Sequence, residues 1–187
     1  MKITIHNQNF VLHQSGAAFW EEEKILFISD LHLGKIGHFR KHGMAIPEKA
    51  VLENFTRLNT VLELFDSKTV IFLGDLFHSK INNEWNFFSD WTKTHSQKII
   101  LIEGNHDIIS KQYYLDLNID VYSELIIHDF LLTHHPSERA GFFNFCGHIH
   151  PGIKLKGMGR QFLSLSCFFR KPNQMIFPAF GEFTGNS

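Results

Sequence analysis

The chain has 187 residues, which corresponds to one compact domain of ordinary size. Hydrophobic residues make up 43% of it and charged residues 20%, a composition that excludes a disordered or fibrous protein. The formal net charge of -1 gives no overall basic field that would draw the whole protein to nucleic acid or to a membrane. We expect a single domain over residues 1–187.

Hydrophobic patterning predicts an α/β fold. The first quarter of the chain reads as short strands, at Lys2–His6, Phe10–His13, Ala18–Trp20 and Lys24–Ser29. Pro47 suits the first turn of a helix that continues to about Phe65, since apolar residues recur there every three or four positions. Strands and helices then alternate, with strands at Thr69–Leu73 and Lys98–Ile102 and helices around Trp85–Lys93 and Ile108–Leu117.

From Val121 onward the pattern is mostly β. The predicted strands are Leu125–His128, Phe130–Thr133, Phe142–Cys146, Gly152–Lys156, Phe162–Phe168 and Gln174–Phe177. Continuous apolar strands separated by helices indicate a central sheet covered on both faces, and the β-rich ends indicate a second sheet packed on it.

Cysteine content and the amino terminus bear on the compartment. The two cysteines, Cys146 and Cys167, cannot form a disulfide framework and favour a reducing environment. The amino terminus lacks the apolar core of a signal peptide, and the longest apolar runs have the length of core strands. We therefore expect a cytoplasmic protein with no membrane partner.

The polar residues that could carry chemistry follow directly after buried strands. They are Asp30 and His32, Gly74 and Asp75, residues 104–107, His134, and residues 147–150. Ligands of open α/β sheets bind at the carboxyl ends of the strands, so these five groups are expected to converge on one crevice.

Spacing adds to this expectation. In an extended segment residues two apart point the same way, so Asp30 and His32 would share one side with Leu31 turned to the core. His148 and His150 would do the same around Ile149. Glycines at positions 74, 104 and 147 would remove side-chain bulk where the backbone turns beside the site.

The donor set consists of two aspartates, one asparagine and four histidines. Mixed oxygen and nitrogen donors suit Mn²⁺, Fe²⁺ or Zn²⁺ and disfavour a thiolate site. Seven ligands are too many for one tetrahedral ion but fit two ions that share an aspartate. We expect two divalent ions, Mn²⁺ in the first place and iron or zinc as alternatives. Any one member of the set could instead be structural, as a turn aspartate or a core histidine.

Together these motifs resemble the calcineurin-like metallophosphoesterases, over residues 24–150. The segments 29–35, 74–79, 147–151 and 178–185 narrow the resemblance to the ligase-associated DNA-damage-response endonucleases, a bacterial subfamily encoded beside an ATP-dependent ligase and a DEXH-box helicase. The resemblance implies a four-layer αββα sandwich, with two mixed sheets flanked by helices. It also implies phosphodiester hydrolysis by a hydroxide held between two metal ions, with DNA as the substrate.

Residue roles follow from the same resemblance. Asp30, His32 and His150 would hold one ion, Asn105, His134 and His148 the other, and Asp75 would bridge them. His106, oriented by Asp107, would stabilise the transition state or protonate the leaving alkoxide. His135 competes with His134 as a ligand, and the order of residues in the family motif favours His134. The family often has an acidic residue where this chain has His78.

The substrate is less well defined by the sequence. Lys35, Arg40 and Lys41 could hold a nucleic-acid backbone, or they could belong to a solvated basic loop. A small phosphoester such as a nucleotide or cyclic nucleotide is the alternative substrate. A non-catalytic scaffold on the same fold would be expected to have lost ligands, and every ligand is present.

Overall fold

The computed structural model describes residues 1–35, 49–182 and 184–185. Its first sheet has seven strands that lie side by side in chain order. They are β1 (Lys2–Ile5), β2 (Gln8–Leu12), β3 (Ala18–Trp20), β4 (Ile25–Ile28), β5 (Thr69–Phe72), β6 (Lys98–Ile102) and β7 (Ile119–Tyr122). β1 to β4 pair antiparallel and β4 to β7 pair parallel, so the sheet is mixed.

The second sheet is also mixed and has five strands. Along the chain they are β8 (Leu125–Ile127), β9 (Phe130–Leu132), β10 (Phe143–Cys146), β13 (Phe169–Lys171) and β14 (Gln174–Ile176). Their spatial order is β13-β14-β10-β9-β8, with β9, β10 and β14 parallel. β11 (Gly152–Lys156) and β12 (Phe162–Ser166) form a separate two-stranded antiparallel ribbon. β13 was not predicted from the sequence.

Among the described residues, three helices cover one face of the first sheet. They are α1 (Lys49–Leu64), α2 (Asn83–Lys93) and α3 (Lys111–Leu115). Leu58 of α1, Phe88 of α2 and Tyr114 of α3 are buried in one hydrophobic cluster with side chains of the sheet. Their burial removes apolar surface from water, the main free-energy gain that holds such a helix on a sheet.

Two of the predicted helices, those over Pro47–Phe65 and Ile108–Leu117, are confirmed only in part. The start predicted at Pro47 lies outside the described residues. The helix predicted over Ile108–Leu117 is confirmed only for Lys111–Leu115. It is shorter because residues 104–108 form a hydrogen-bonded turn, in which the N–H of Ile108 donates to the carbonyl of His106. At the other end Asn118 has a left-handed φ of 57°, which stops helix propagation.

The core between the two sheets is rich in phenylalanine. Phe10 and Phe27 of the first sheet contact Phe145 of the second, and Phe130 stacks on Phe145 with ring centroids 5.3 Å apart. All four rings are at least 99% removed from solvent. Aromatic pairs in such offset and edge-to-face contacts add to the hydrophobic gain and fix the sheets against each other.

The prediction of two mixed sheets with helices is confirmed. The helical layer expected on the second sheet differs from the observed structure. Among the described residues no helix covers the outer face of the second sheet. That face is covered in part by residues 133–142, where the N–H of Ser137 donates to Oδ1 of Asn144. This connection between the parallel strands β9 and β10 is short and contains Pro136 and Gly141, whereas a helical crossover needs about a dozen residues or more.

No helix within the described ranges is long and apolar enough to span a membrane.

Candidate metal centre

Loops from both sheets meet at one edge of the molecule, at the carboxyl ends of β4, β5, β6, β9 and β10. Backbone hydrogen bonds hold them together: the N–H of Asp30 donates to the carbonyl of Gly74, and the N–H of Gly147 to the carbonyl of His134. The expected convergence of the five polar groups is therefore confirmed. Parallel pairing within each sheet places the ends of neighbouring strands side by side, and the packing of the two sheets brings the two sets of loops together.

The first group of donors surrounds one oxygen of Asp30. Oδ2 of this carboxylate accepts hydrogen bonds from the Ser29 hydroxyl at 2.5 Å and from the N–H of His148 at 3.0 Å. Oδ1 has no hydrogen bond and lies 3.0 Å from Nε2 of His150 and 3.8 Å from Nε2 of His32. The carboxylate is thus held by one oxygen while the other faces two imidazole nitrogens.

The second group of donors surrounds His134. Its Nδ1 lies 2.9 Å from the carbonyl of Leu73, so the ring donates there and directs Nε2 into the crevice. Nε2 is 3.1 Å from Oδ1 of Asn105 and 3.3 Å from Nδ1 of His148. A histidine whose other nitrogen donates to a backbone carbonyl is the usual arrangement of a metal ligand.

Asp75 lies between the two groups. Its Oδ2 is 3.7 Å from Nε2 of His32, and its Oδ1 is 3.4 Å from Nε2 of His134. Oδ1 also accepts a hydrogen bond from the N–H of His106 at 2.9 Å. The one carboxylate therefore faces both donor groups, which is the position of a bridging ligand.

The residues fit two divalent cations. Donor atoms of Asp30, His32 and His150 lie within 4.8 Å of one another, and so do those of Asp30, Asp75 and His134. Asp30 Oδ1, both ring nitrogens of His32 and Nε2 of His150 are buried without a hydrogen bond. Buried polar atoms left unsatisfied are costly, and bound cations would satisfy those that face the crevice.

His134 and His135 can be compared directly. His134 is buried between Asp75 and Asn105, whereas His135 is exposed and its ring lies 4.1 Å from that of His148. His134, His135 and His148 also form a third group of closely spaced donors. The buried, central position of His134 agrees with the preference for it over His135.

The electrostatics of the site favour a neutral His32 and an ionised Asp75, whereas the hydrogen bond to Asp75 outweighs burial and raises the pKa of His134. Burial lowers the pKa of His32 to about 3, despite the opposing charges of Asp75 and Asp30. Burial alone would raise the pKa of Asp75, but its contacts with His134 and the N–H of His106 outweigh this and hold the pKa at about 2. Neutral His32 and ionised Asp75 are the protonation states that metal coordination needs.

His106 projects beside the two donor groups. Its ring stacks on that of His78 with centroids 4.8 Å apart, and lies 5.5 Å from the ring of His32. Within the described part of the chain, no hydrogen bond joins the His106 ring to another group. This nitrogen-bearing ring is thus placed next to the ligands without being buried among them.

Asp107 has a different role from the one expected. Its carboxylate accepts hydrogen bonds from the N–H groups of Phe77 at 3.0 Å and Gly104 at 2.9 Å. No hydrogen bond connects it to the His106 imidazole in the described residues. Burial raises the pKa of Asp107 to about 7, although these two N–H groups favour its charged form. The side chain ties the loop after β6 to the loop after β5, and so positions His106 through the backbone.

The local geometry of the ligand pairs was predicted incorrectly. Asp30, His32, His148 and His150 have left-handed φ angles between 50° and 67°, and are not in extended strands. Leu31 is buried as expected, but Ile149 is 40% exposed and does not face the core. Non-glycine residues in this backbone region cost energy, and they cluster at functional sites where the surrounding structure holds them.

The glycines beside the site are required by close packing, as predicted. A Cβ on Gly74 would overlap the ring of His134, and Gly74 also has a φ of +88°. A Cβ on Gly147 would overlap the hydroxyl of Ser29. In each case a methyl group would displace a ligand or its support.

Of the predicted substrate-binding residues, Lys35 is described, and Arg40 and Lys41 lie outside the described residues. Lys35 is half-buried. Burial lowers the pKa of its ammonium group, while Asp30 and Asp75 act in the opposite direction. Lys35 is therefore within electrostatic range of the carboxylates of the site.

Ser29 was not identified from the sequence, where a serine at a strand end carries no signal. We expect Ser29→Ala to weaken binding of Mn²⁺ by about 10- to 100-fold, because Asp30 loses the hydroxyl that orients its carboxylate. Calorimetric titration with Mn²⁺ measures this binding affinity. Ser110→Ala is a matched control, since that side chain makes no capping hydrogen bond. Equal affinity in Ser29→Ala and wild type would contradict the role.

Two packed mixed sheets with two donor groups joined by one carboxylate define a class of metal-dependent hydrolases. The model of the calcineurin-like phosphoesterase family matches residues 23–166. The chain belongs to this family and is a phosphoester hydrolase.

The solved structures that the chain resembles include a nuclease and a protein of unknown function. The nuclease MPE of Pseudomonas putida is 30% identical, with a TM-score of 0.84 over 100% of this chain and 90% of that chain. A protein of unknown function from Aquifex aeolicus, AQ665, is 21% identical, with a TM-score of 0.49 over 67% of this chain and 78% of that chain. Among functionally curated proteins none matches the chain significantly.

Proposed function

We propose that this protein is a Mn²⁺-dependent phosphodiesterase that cleaves DNA as an endonuclease in DNA repair. One observation carries the proposal: two donor groups meet at the buried Asp75, which faces His32 on one side and His134 on the other. The likeness to a solved nuclease, which extends over the whole chain, supports a nucleic acid as the substrate.

In this proposal Asp30, His32 and His150 hold one ion, Asn105, His134 and His148 hold the other, and Asp75 bridges them. Bound ions would supply an activated water near neutral pH and neutralise phosphate oxygens. Two divalent ions, two aspartates and a hydroxide sum to a net charge of about +1, so the loaded crevice attracts phosphate although the whole chain is nearly neutral.

The residues of the chain supply position and proton transfer. His106 has a ring that is free to reach the departing oxygen of the phosphodiester, where it donates a proton or stabilises charge. Asp107 positions it through the backbone of the loop after β6. Lys35, which interacts electrostatically with Asp30 and Asp75, would contact a phosphate of the substrate. Burial raises the pKa of the Cys146 thiol to about 12, so this thiol is not the nucleophile.

Participation in repair follows from the resemblance to endonucleases encoded beside an ATP-dependent ligase and a DEXH-box helicase. We propose that those proteins act on the same DNA as this one. A cytoplasmic location agrees with this role.

Hydrolysis assays with Mn²⁺ test the substrate. We expect turnover of bis-p-nitrophenyl phosphate and of single-stranded, duplex or nicked DNA, with apparent DNA affinity falling steeply as salt rises, because binding releases counterions. A cyclic nucleotide serves as the small-substrate control. Turnover of the cyclic nucleotide with weak salt dependence, and none of DNA, would favour the small-phosphoester alternative.

A further inference from the structure

The ribbon of β11 and β12 has two chemically different faces. Side chains of paired residues lie on the same side, and they alternate along each strand. Ile153, Leu155, Leu163 and Leu165 share one face, in the pairs Ile153 with Leu165 and Leu155 with Leu163. The other face carries Lys154 and Lys156, with Lys154 paired to Ser164 and Lys156 paired to Phe162.

The second face is open to solvent. Lys154, Lys156 and Ser164 are exposed, and Phe162 retains 67% of its solvent exposure. In the described part of the chain neither lysine forms an ion pair. Two unpaired ammonium groups beside an exposed aromatic ring are the usual elements of a surface that binds single-stranded nucleic acid.

The ribbon begins next to the metal centre. Only Pro151 separates the start of β11 from His150, and the N–H of Cys167 donates to the carbonyl of Pro151, closing the base of the ribbon there. With a rise of about 3.3 Å per residue, Lys154 and Lys156 lie about 7 Å apart along the strand, close to the spacing of successive phosphates in an extended single strand.

The charged residues of the ribbon and of the segments beside it in the chain are all basic. No aspartate or glutamate occurs from residue 139 to residue 181, a stretch that contains Lys154, Lys156, Arg160, Arg170 and Lys171. Arg170 and Lys171 lie on β13, which follows the ribbon directly, and both are exposed. The overall charge of -1 thus hides a local basic region beside the crevice.

We propose that the lysine face of the ribbon, formed by Lys154, Lys156, Phe162 and Ser164, binds single-stranded DNA that leads into the metal centre. The two lysines contact successive phosphates and the Phe162 ring stacks on a base. This inference rests on the proposed nuclease function and names the surface that gives it a polynucleotide substrate. The opposite, aliphatic face does not attract a polyanion, so the lysine face is the one that binds.

The test compares the Mn²⁺-loaded wild type with Lys154→Ala/Lys156→Ala and with Phe162→Ala. The substrates are a labelled oligothymidylate and bis-p-nitrophenyl phosphate. Removing two phosphate contacts should raise KM for the oligonucleotide and reduce its logarithmic salt slope by about 1.4. Phe162→Ala should raise KM by about 5- to 100-fold, and Phe162→Tyr should retain the wild-type KM because it keeps the ring. Turnover of bis-p-nitrophenyl phosphate should be unchanged in all variants.

Lys68→Ala/Lys98→Ala is the matched control. It removes the same charge at the amino ends of β5 and β6, which are remote from the metal centre, and should leave KM unchanged. If the wild type hydrolyses bis-p-nitrophenyl phosphate but no DNA, the proposed function itself fails, and this inference with it. If the wild type cleaves the oligonucleotide and the ribbon variants match it, only the inference fails. A changed oligomeric state of these variants, by sedimentation and with unaltered KM, would show a protein interface and also overturn it.

Discussion

Replacing Asp75 by alanine or asparagine should abolish most of the activity. This carboxylate faces both donor groups, so its loss affects both ions together. Loss of a partner that merely orients a ligand costs about 10- to 100-fold in metal affinity or activity, and loss of a shared ligand should exceed this range. We expect kcat for bis-p-nitrophenyl phosphate to fall by more than about 100-fold, together with a loss of bound Mn²⁺ measured by elemental analysis.

The asparagine variant separates coordination from folding. Asp75→Asn retains an oxygen that can accept the hydrogen bond from the N–H of His106, but it removes the negative charge. Asp116→Ala is the matched control, since that carboxylate is exposed and, among the described residues, bonds only Gln112. Two bound ions and wild-type turnover in Asp75→Asn would contradict the bridging role of Asp75.

Replacing His106 by alanine should affect DNA more than the chromogenic diester. If this ring protonates the departing oxygen, its loss costs about 10²- to 10⁴-fold in kcat when the leaving group is a strongly basic alkoxide. p-Nitrophenolate departs with little protonation, so kcat for bis-p-nitrophenyl phosphate should fall much less. The Mn²⁺ content should stay at the wild-type value, because the ring lies beside the donors.

His128→Ala provides the histidine control, because His128 is exposed and pairs with Glu23 away from the metal centre. Parallel single-turnover measurements on both substrates separate the chemical step from product release. An equal loss on the two substrates would exclude proton donation by His106 and leave it with charge stabilisation alone. A lower Mn²⁺ content would make it a ligand.

The sequence predicted most of the fold correctly because its strongest signal is hydrophobic periodicity. The buried strand Lys98–Ile102 was predicted with its observed bounds, since every residue after the first is buried. α3 was predicted too long, because the apolar pattern extends beyond the helix at both ends. A hydrogen-bonded turn precedes the helix, and the left-handed Asn118 follows it. β13 was missed, because its three exposed residues give no alternating pattern.

The structure brings the predicted donor residues together, in a backbone geometry that the sequence did not predict. Parallel strands bring their carboxyl ends to one edge of a sheet, so Asp30 and Asp75 could be placed together from sequence alone. Their contact with His134, which follows a strand of the second sheet, depends on how the two sheets pack. The left-handed backbone conformations of the ligand pairs could not be predicted from the sequence, because they depend on how the loops pack against one another. For the same reason the hydrogen bond from Ser29 to Asp30, and the bonds from Asp107 to backbone N–H groups, became visible only in the structure.

The chemical identity of this protein was therefore determined by its sequence: residue types decide which cations and which reactions are possible, and strand order decides which loops meet. Tertiary structure decided the rest. It showed which oxygen of Asp30 faces the crevice and that Asp75 lies between two donor groups. It also showed that Lys154, Lys156 and Phe162 share one face of a ribbon. Distance and orientation between residues far apart in the chain arise from packing, which the local sequence does not encode.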